Sequence, residues 1–244
     1  MEQFSTTSEP IQSIIKGFNL TKTLFVSSIM IGEAHSGKKT LACYLFPDAP
    51  VVSGKNRNRV MELLNEVDEL IITDFEMLGN QESLNFENKR IIATANYIAN
   101  QKIIDNLFAF IYTVPSLKER HDDVLFLKDK FITEAKSNLM LETSNISIKD
   151  IPLDLSANSK SLKKSIYHYL IKHSMNKEDI QQTIFNYMLN NLEGNNGYKE
   201  YLVLYEKPLI EAGLKKFGSQ LQLSQILGIN RNTLRKKIHE HDIV

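Results

Sequence analysis

The stretch Gly228-Ile229-Asn230-Arg231-Asn232-Thr233-Leu234-Arg235-Lys236-Lys237 constrains this chain more than any other. Before it, Leu221, Leu223, Ile226 and Leu227 supply an apolar face. Gly228 permits a sharp reversal that a side chain would obstruct, and Ile229 packs back into the corner. Asn230 suits the N-cap of the helix that follows, where its side-chain oxygen accepts a hydrogen bond from a first-turn amide. Leu234 and Ile238, four apart, point inward, which leaves Arg231, Asn232, Thr233, Arg235, Lys236 and Lys237 on the outward side. Two short helices joined in this way form a helix-turn-helix. Its second helix then offers the groups that pair with guanine edges (Arg) or hold phosphates (Lys, Thr) in a DNA major groove.

Charge agrees. Residues 215–244 hold six Lys or Arg against two acids, a surplus of four on a chain whose formal total is zero. A neutral total argues against coating of nucleic acid by the entire surface. A solvated basic helix closing a small bundle is the competing account. Upstream, Tyr198, Leu202, Tyr205, Leu209 and Phe217 follow helical spacing around Pro208, which predicts a proline-kinked amphipathic helix. With Leu204-Tyr205-Glu206-Lys207-Pro208-Leu209-Ile210 and the basic helix, residues 198–244 resemble the Fis family and the related C-terminal domains of sigma-54 activators. The resemblance implies a homodimer through the long helices, a roughly palindromic double-stranded DNA site, and DNA contacts from Asn230, Arg231, Thr233, Arg235 and Lys236. Closure of an intrachain core is the alternative use of the apolar stripe.

A second motif follows residues 24–31, an apolar, partly β-branched run that predicts a strand ending at Gly32. The loop Gly32-Glu33-Ala34-His35-Ser36-Gly37-Lys38-Lys39-Thr40 carries the two glycines and the lysine of a phosphate-binding loop, in which backbone amides converge at a helix N-terminus. Lys39 stands where the general pattern has Ser or Thr for magnesium, and Thr40 comes one place late. Leu70-Ile71-Ile72-Thr73-Asp74 reads as a buried strand presenting an acid at its end, and Arg90-Ile91-Ile92-Ala93-Thr94-Ala95-Asn96 as a third strand. Strands alternating with helices predict a parallel α/β sheet. In this order the segments resemble the AAA+ domain of sigma-54 activators. That likeness makes Gly32, Gly37, Lys38, Lys39, Thr40 and Asp74 candidate nucleotide contacts and ATP with magnesium the candidate cofactor.

The departures from that family shape the expectation. About thirty-five residues separate the loop from Asp74, and no sigma-contacting Gly-Ala-Phe-Thr-Gly-Ala sequence lies among them. Phe75 occupies the place of the water-polarising glutamate. Glu76, one step on, is expected to face the other side of the strand. No arginine occurs in residues 104–110, where the family has its arginine fingers, and no Trp-Pro-Gly-Asn segment with a sensor arginine is found. Arginine fingers contribute roughly 10³ to 10⁵ in rate, so a degenerate ATPase domain without turnover is expected, one that either still binds ATP through Lys38 or serves only as a scaffold.

The length fits one or two domains at about 100 to 200 residues each. A lone Cys43 forms no intrachain disulfide and fits a reducing compartment. No signal core or apolar run of the ~20 residues that span a bilayer occurs, so a cytoplasmic, nucleoid-associated protein without a membrane contact is expected. Residues 161–173 and 177–192 show helical apolar spacing, and Glu193-Gly194-Asn195-Asn196-Gly197 is the clearest linker. His168 and His173 are five apart and Cys43 has no partner, so no metal site or catalytic group is assigned. The basic run in residues 54–59 reads as a surface turn.

The expected organisation is an N-terminal segment (1–19), a degenerate AAA+-like α/β P-loop domain with a parallel sheet (20–138), a helical lid or connector (139–197) and an all-α Fis-type helix-turn-helix domain (198–244). The function expected is DNA-binding transcription regulation, with RNA polymerase or another regulator as a further partner. An active ATPase that remodels a transcription complex, and a nucleoid architectural protein that reads DNA shape, are the alternatives.

Overall fold

The computed structural model describes residue 4 and residues 6–140 and 147–243; residues 141–146 of the expected connector lie outside the described residues, as do 1–3, 5 and 244. The chain forms two compact units, Met1–Ser174 and Met175–Val244.

In the first unit, α1 (Glu9–Thr21), β1 (Ser28–Ile31), α2 (Lys38–Leu45), β2 (Val51–Ser53), α3 (Arg57–Glu66), β3 (Glu69–Thr73), β4 (Arg90–Ala95), α4 (Gln101–Leu107), β5 (Phe110–Thr113), α5 (His121–Leu139) and α6 (Asn158–Ser174) follow one another. The five strands run parallel in the order β2-β3-β4-β1-β5. Strands buried on both faces read as unbroken apolar runs, and packing sorts each run by alternation. Ile29, Leu70, Ile72, Ile91 and Ala93 meet α3, α4 and the Phe75, Phe86 and Phe108 rings on one face. Met30, Ile71 and Ile92 meet α1 and α2 on the other. Ile11, Ile14 and Phe18 of α1 are buried in that second layer.

Strand limits are narrower than the apolar runs suggest. Leu24 and Phe25 are exposed and precede β1, because the turn that ends α1, with Leu24 N–H on Thr21 O at 2.9 Å, delays entry into the sheet. β3 stops at Thr73, one residue short of Asp74. β2 and β5 lie outside the three strands expected, although Phe110-Ile111-Tyr112-Thr113 carries the aromatic and β-branched residues that favour a strand. α5 and α6 pack through Val124, Phe131, Ile132 and Ala135 against Leu162, Ile166 and Leu170, as the spacing in residues 161–173 suggests. Leu117, just before α5, completes this cluster.

The second unit is helical: α7 (Lys177–Asn191), α8 (Gly197–Phe217), α9 (Gln220–Leu227) and α10 (Arg231–Glu240). Asn176 and Asp179 start α7 with a reciprocal capping box. Pro208 lies inside α8, where it removes one amide donor from the helix ladder. Ile210, Leu223 and Leu234 form a small core at which α8, α9 and α10 meet, with Leu214, Phe217, Leu227, Ile229 and Ile238 around it. Nothing in α7 is buried. Among the described residues, no helix is long and apolar enough to cross a membrane.

Candidate functional site

The turn between α9 and α10 is closed by its own backbone. Gly228 adopts φ 65°, a left-handed conformation that favours glycine. Its amide donates to Gln225 O at 3.2 Å and the Ile229 amide to Ser224 O at 3.1 Å, the pairing of a Schellman helix end. Asn230 then caps α10, its Oδ1 accepting the Asn232 amide at 2.8 Å. Leu234 is buried, while Arg231, Asn232, Thr233, Arg235 and Lys236 are exposed on one continuous surface. Lys236 pairs with Glu240 at 3.6 Å across an exposed helix turn, a contact of little energetic weight.

Two expectations about faces need correction. Lys237 does not project outward with its neighbours. It lies three residues after Leu234, on the same side of the helix, and pairs with Glu206 of α8. Leu221 and Ile226 do not join the inward face of α9, where Leu223, Ser224 and Leu227 are the residues turned to α8 and α10; both are exposed. Exposure continues along α7 and α8. Ile180, Ile184, Phe185 and Leu189 are open on α7, as are Tyr198 (85%), Tyr205 (66%) and Leu209 on α8. The stripe predicted on α8 is therefore largely uncovered within one chain.

In the first unit, β1 feeds the phosphate loop into α2. A Cβ at Gly32 would collide with Val114 O, and Gly37 has φ 98°, so both glycines answer a geometric need. Lys38 is buried, and its Nζ donates to Gly32 O (2.8 Å), Glu33 O (2.7 Å) and Asn96 Oδ1 (3.1 Å). Burial holds its ammonium below the usual lysine range, against the pull of Glu76, Asp74 and Glu33. Lys39 and Thr40 are exposed at the lip of a cleft of about 500 Å³, which Asp74, Glu76, Thr94 and Asn96 also line. Asp74 accepts a hydrogen bond from Ser53 Oγ at 2.9 Å and faces Lys55 Nζ at 3.9 Å.

Glu76 overturns the expectation that it turns away. The strand ends before Asp74, which takes φ 52°, and Phe75–Met77 forms a 3-10 turn. Strand alternation therefore does not operate there, and Phe75 enters the core while Glu76 enters the cleft. Its Oε1 accepts from Asn96 Nδ2 at 2.7 Å, and its buried Oε2 has no hydrogen-bond partner. Asn96 thus joins Lys38 to Glu76. The cleft meets the needs of a polyphosphate: loop amides at the start of α2, a buried ammonium, and carboxylates for a cation. The hydroxyl that usually completes a magnesium site is absent at Lys39.

Residues without a sequence signal also surround the loop. Asn158, buried at the start of α6, donates to Glu33 Oε2 (2.9 Å) and Ala34 O (3.0 Å), while Ser159 donates twice to His35 O. Buried Arg120 donates to Ser36 O at 2.6 Å and pairs with Asp123 at 3.2 Å. Beside the loop, Leu117, Leu127 and Phe131 line a second cavity of about 290 Å³ together with Lys130, Lys160 and Lys163. Only the amphipathic spacing of residues 161–173 hinted at α6, and nothing in it pointed to the phosphate loop.

Known proteins resemble this chain both at its C-terminal helices and along its full length. Residues 202–241 match the family described as "Bacterial regulatory protein, Fis family". DNA-binding protein Fis of Buchnera aphidicola is 32% identical over 114 residues, which are 45% of this chain and 97% of that protein. The DNA-binding transcriptional regulator NtrC of Azospirillum brasilense is 45% identical over 53 residues, 21% of this chain; the chain spans only 11% of NtrC. Among solved structures, NtrX from Brucella abortus, crystallised with ATP, superposes with a TM-score of 0.57 at 13% identity, covering all of this chain and 70% of NtrX. The fold is an AAA+-type P-loop unit with a parallel sheet, followed by a Fis-type helix-turn-helix.

Proposed function

Because the chain belongs to the Fis family of bacterial regulatory proteins, we propose that it regulates transcription by binding double-stranded DNA as a homodimer, with α10 in the major groove. One observation carries this reading: Arg231, Asn232, Thr233, Arg235 and Lys236 form an exposed polar surface on a short helix that is capped by Asn230 and anchored by Leu234. Arg231 and Arg235 are assigned to base edges, Thr233 and Lys236 to phosphates. The uncovered apolar residues of α7 and α8 support pairing of two copies, so the proposed dimerisation domain includes α7 as well as residues 198–244. Action follows on the nucleoid, in the cytoplasm, through RNA polymerase or another regulator. Titration of the intact chain against duplexes selected from a random pool tests the reading. Arg231→Ala and Arg235→Ala should each cost ~1 to 3 kcal/mol on preferred duplexes, and unchanged affinity in both would refute it.

For the first unit, the proposed role is to bind ATP with magnesium, with Lys38 and the loop amides on the phosphates and Asp74 near the metal. Without an arginine in residues 104–110, turnover is expected to be slow or absent. A second reading, a working ATPase, is favoured by Glu76, which stands in the cleft on Asn96 with one carboxylate oxygen unpaired. Phosphate release by wild type that Glu76→Gln abolishes, with ATP binding retained, would establish turnover. Equal release by both would exclude Glu76 as the base. In either reading Lys38→Ala should weaken binding of a fluorescent ATP analogue.

A further inference from the structure

We infer that Glu206 of α8 fixes the pose of α10 by clamping Lys237 and His241, so that Lys237 serves recognition as a positioning residue and does not touch DNA. The inference rests on the DNA-binding reading above. A single carboxylate holds two groups 31 and 35 residues further along: Oε1 takes the Lys237 ammonium, and Oε2 lies 3.0 Å from His241 Nε2. All three side chains are largely withdrawn from water, with 16% of Glu206, 28% of Lys237 and 13% of His241 exposed. Charge-assisted hydrogen bonds in such surroundings are directional and stronger than their surface counterparts.

The placement on α10 gives the clamp its consequence. Leu234 is the one fully buried side chain of this helix, with Ile238 half-buried against the same core; such apolar contact is non-directional and defines the roll of the helix less closely than a hydrogen bond does. Lys237 and His241 lie one and two turns beyond Leu234, at the end away from Arg231 and Asn232. A bidentate grip there fixes the roll of the helix about Leu234, and with it the direction in which the N-terminal side chains meet base edges. Positioning errors of this kind degrade discrimination between sequences more than they degrade attraction to phosphate, because the latter is diffuse. The Glu206 carboxylate also cancels the charge of Lys237 locally, so this lysine adds no counterion release on DNA.

The test uses the full chain and measures affinity for a preferred and a random duplex of equal length over a range of salt. Lys236→Gln should lower the slope of log K against log salt by about 0.9, as one lost phosphate contact does, whereas Lys237→Gln should leave the slope unchanged. Glu206→Gln should lower the preferred-to-random ratio roughly tenfold, and the Glu206→Gln/Lys237→Gln double variant should lose less than the two single losses added together, as coupled partners do. The slope for Glu206→Gln should stay level or steepen as Lys237 is released to phosphate. A Lys237→Gln slope reduced as in Lys236→Gln, or an unaltered ratio in Glu206→Gln, would overturn the clamp. Lys237→Gln keeps the test decisive if Glu206→Gln fails to fold. Absence of DNA binding by wild type would instead overturn the functional reading, and the clamp with it.

Discussion

At the scale of single residues, most chemistry here depends on where one side chain is held. Glu206 is the clearest case. The Lys237 hydrogen bond, followed by that from His241, holds its carboxyl below the usual carboxylate range, against the opposing effect of burial. A carboxylate whose folded pKa is depressed adds stability that is present above its unfolded value of about 4.3 and is lost as pH falls through the folded value. Acid titration of the second unit by circular dichroism should therefore show stability declining below pH ~4.3, and Glu206→Gln should flatten that decline. An identical pH profile for the variant would show that the pair contributes nothing to folding. Glu76 teaches a related lesson. Its neighbour Asp74 was legible as a strand-end acid, but the fate of Glu76 was not, because a positive φ at Asp74 ends the alternation from which its direction was read.

Among elements, the close approach of α8 to α9 is the most exposed to a small change. Gly213 lies within α8, and a Cβ there would collide with the Leu223 methyls, which are buried in the core of this unit. Alanine is intrinsically the better helix former by roughly 1 kcal/mol. Overpacking a buried site costs about 1 to 3 kcal/mol, and with Leu223 unable to swing into water that penalty wins. Gly213→Ala should lower the melting temperature of the second unit, measured by calorimetry; a rise would mean that α8 and α9 separate at little cost. The helix-turn-helix itself was legible because its signals are local: Gly228 for the reversal, Asn230 for the cap. Faces were less legible. The spacing of Leu221 and Ile226 fits helical burial as well as that of Leu223 and Leu227, and only contact with α8 and α10 decides between them.

For the whole molecule, the uneven distribution of exposed apolar side chains is the leading feature. The sheet of the first unit is covered by helices on both faces, whereas α7 and α8 leave Phe185, Leu189, Tyr198 and Tyr205 in water. Large apolar side chains exposed along two consecutive helices support the proposed pairing of two copies. Sedimentation equilibrium should give a dimer for wild type and a monomer for Tyr205→Glu/Leu209→Glu, whose DNA affinity should fall to that of one half-site. A monomeric wild type would remove the dimer from the proposal.

What the sequence determined by itself was confined to short range. A glycine that needs a left-handed turn, an asparagine that caps the next helix, and a lysine that follows a glycine loop after a strand all act within about ten residues, where backbone sterics and local hydrogen bonds dominate. Tertiary structure alone decided which distant groups meet: Asn96 with Lys38 at a separation of 58 residues, Asn158 with Glu33 at 125, and Lys237 with Glu206 at 31. Periodicity assigns a residue to one side of its own element. It carries no information about the neighbour that this side will find, because that is set by the packing of whole layers and by the points at which strands stop and helices begin.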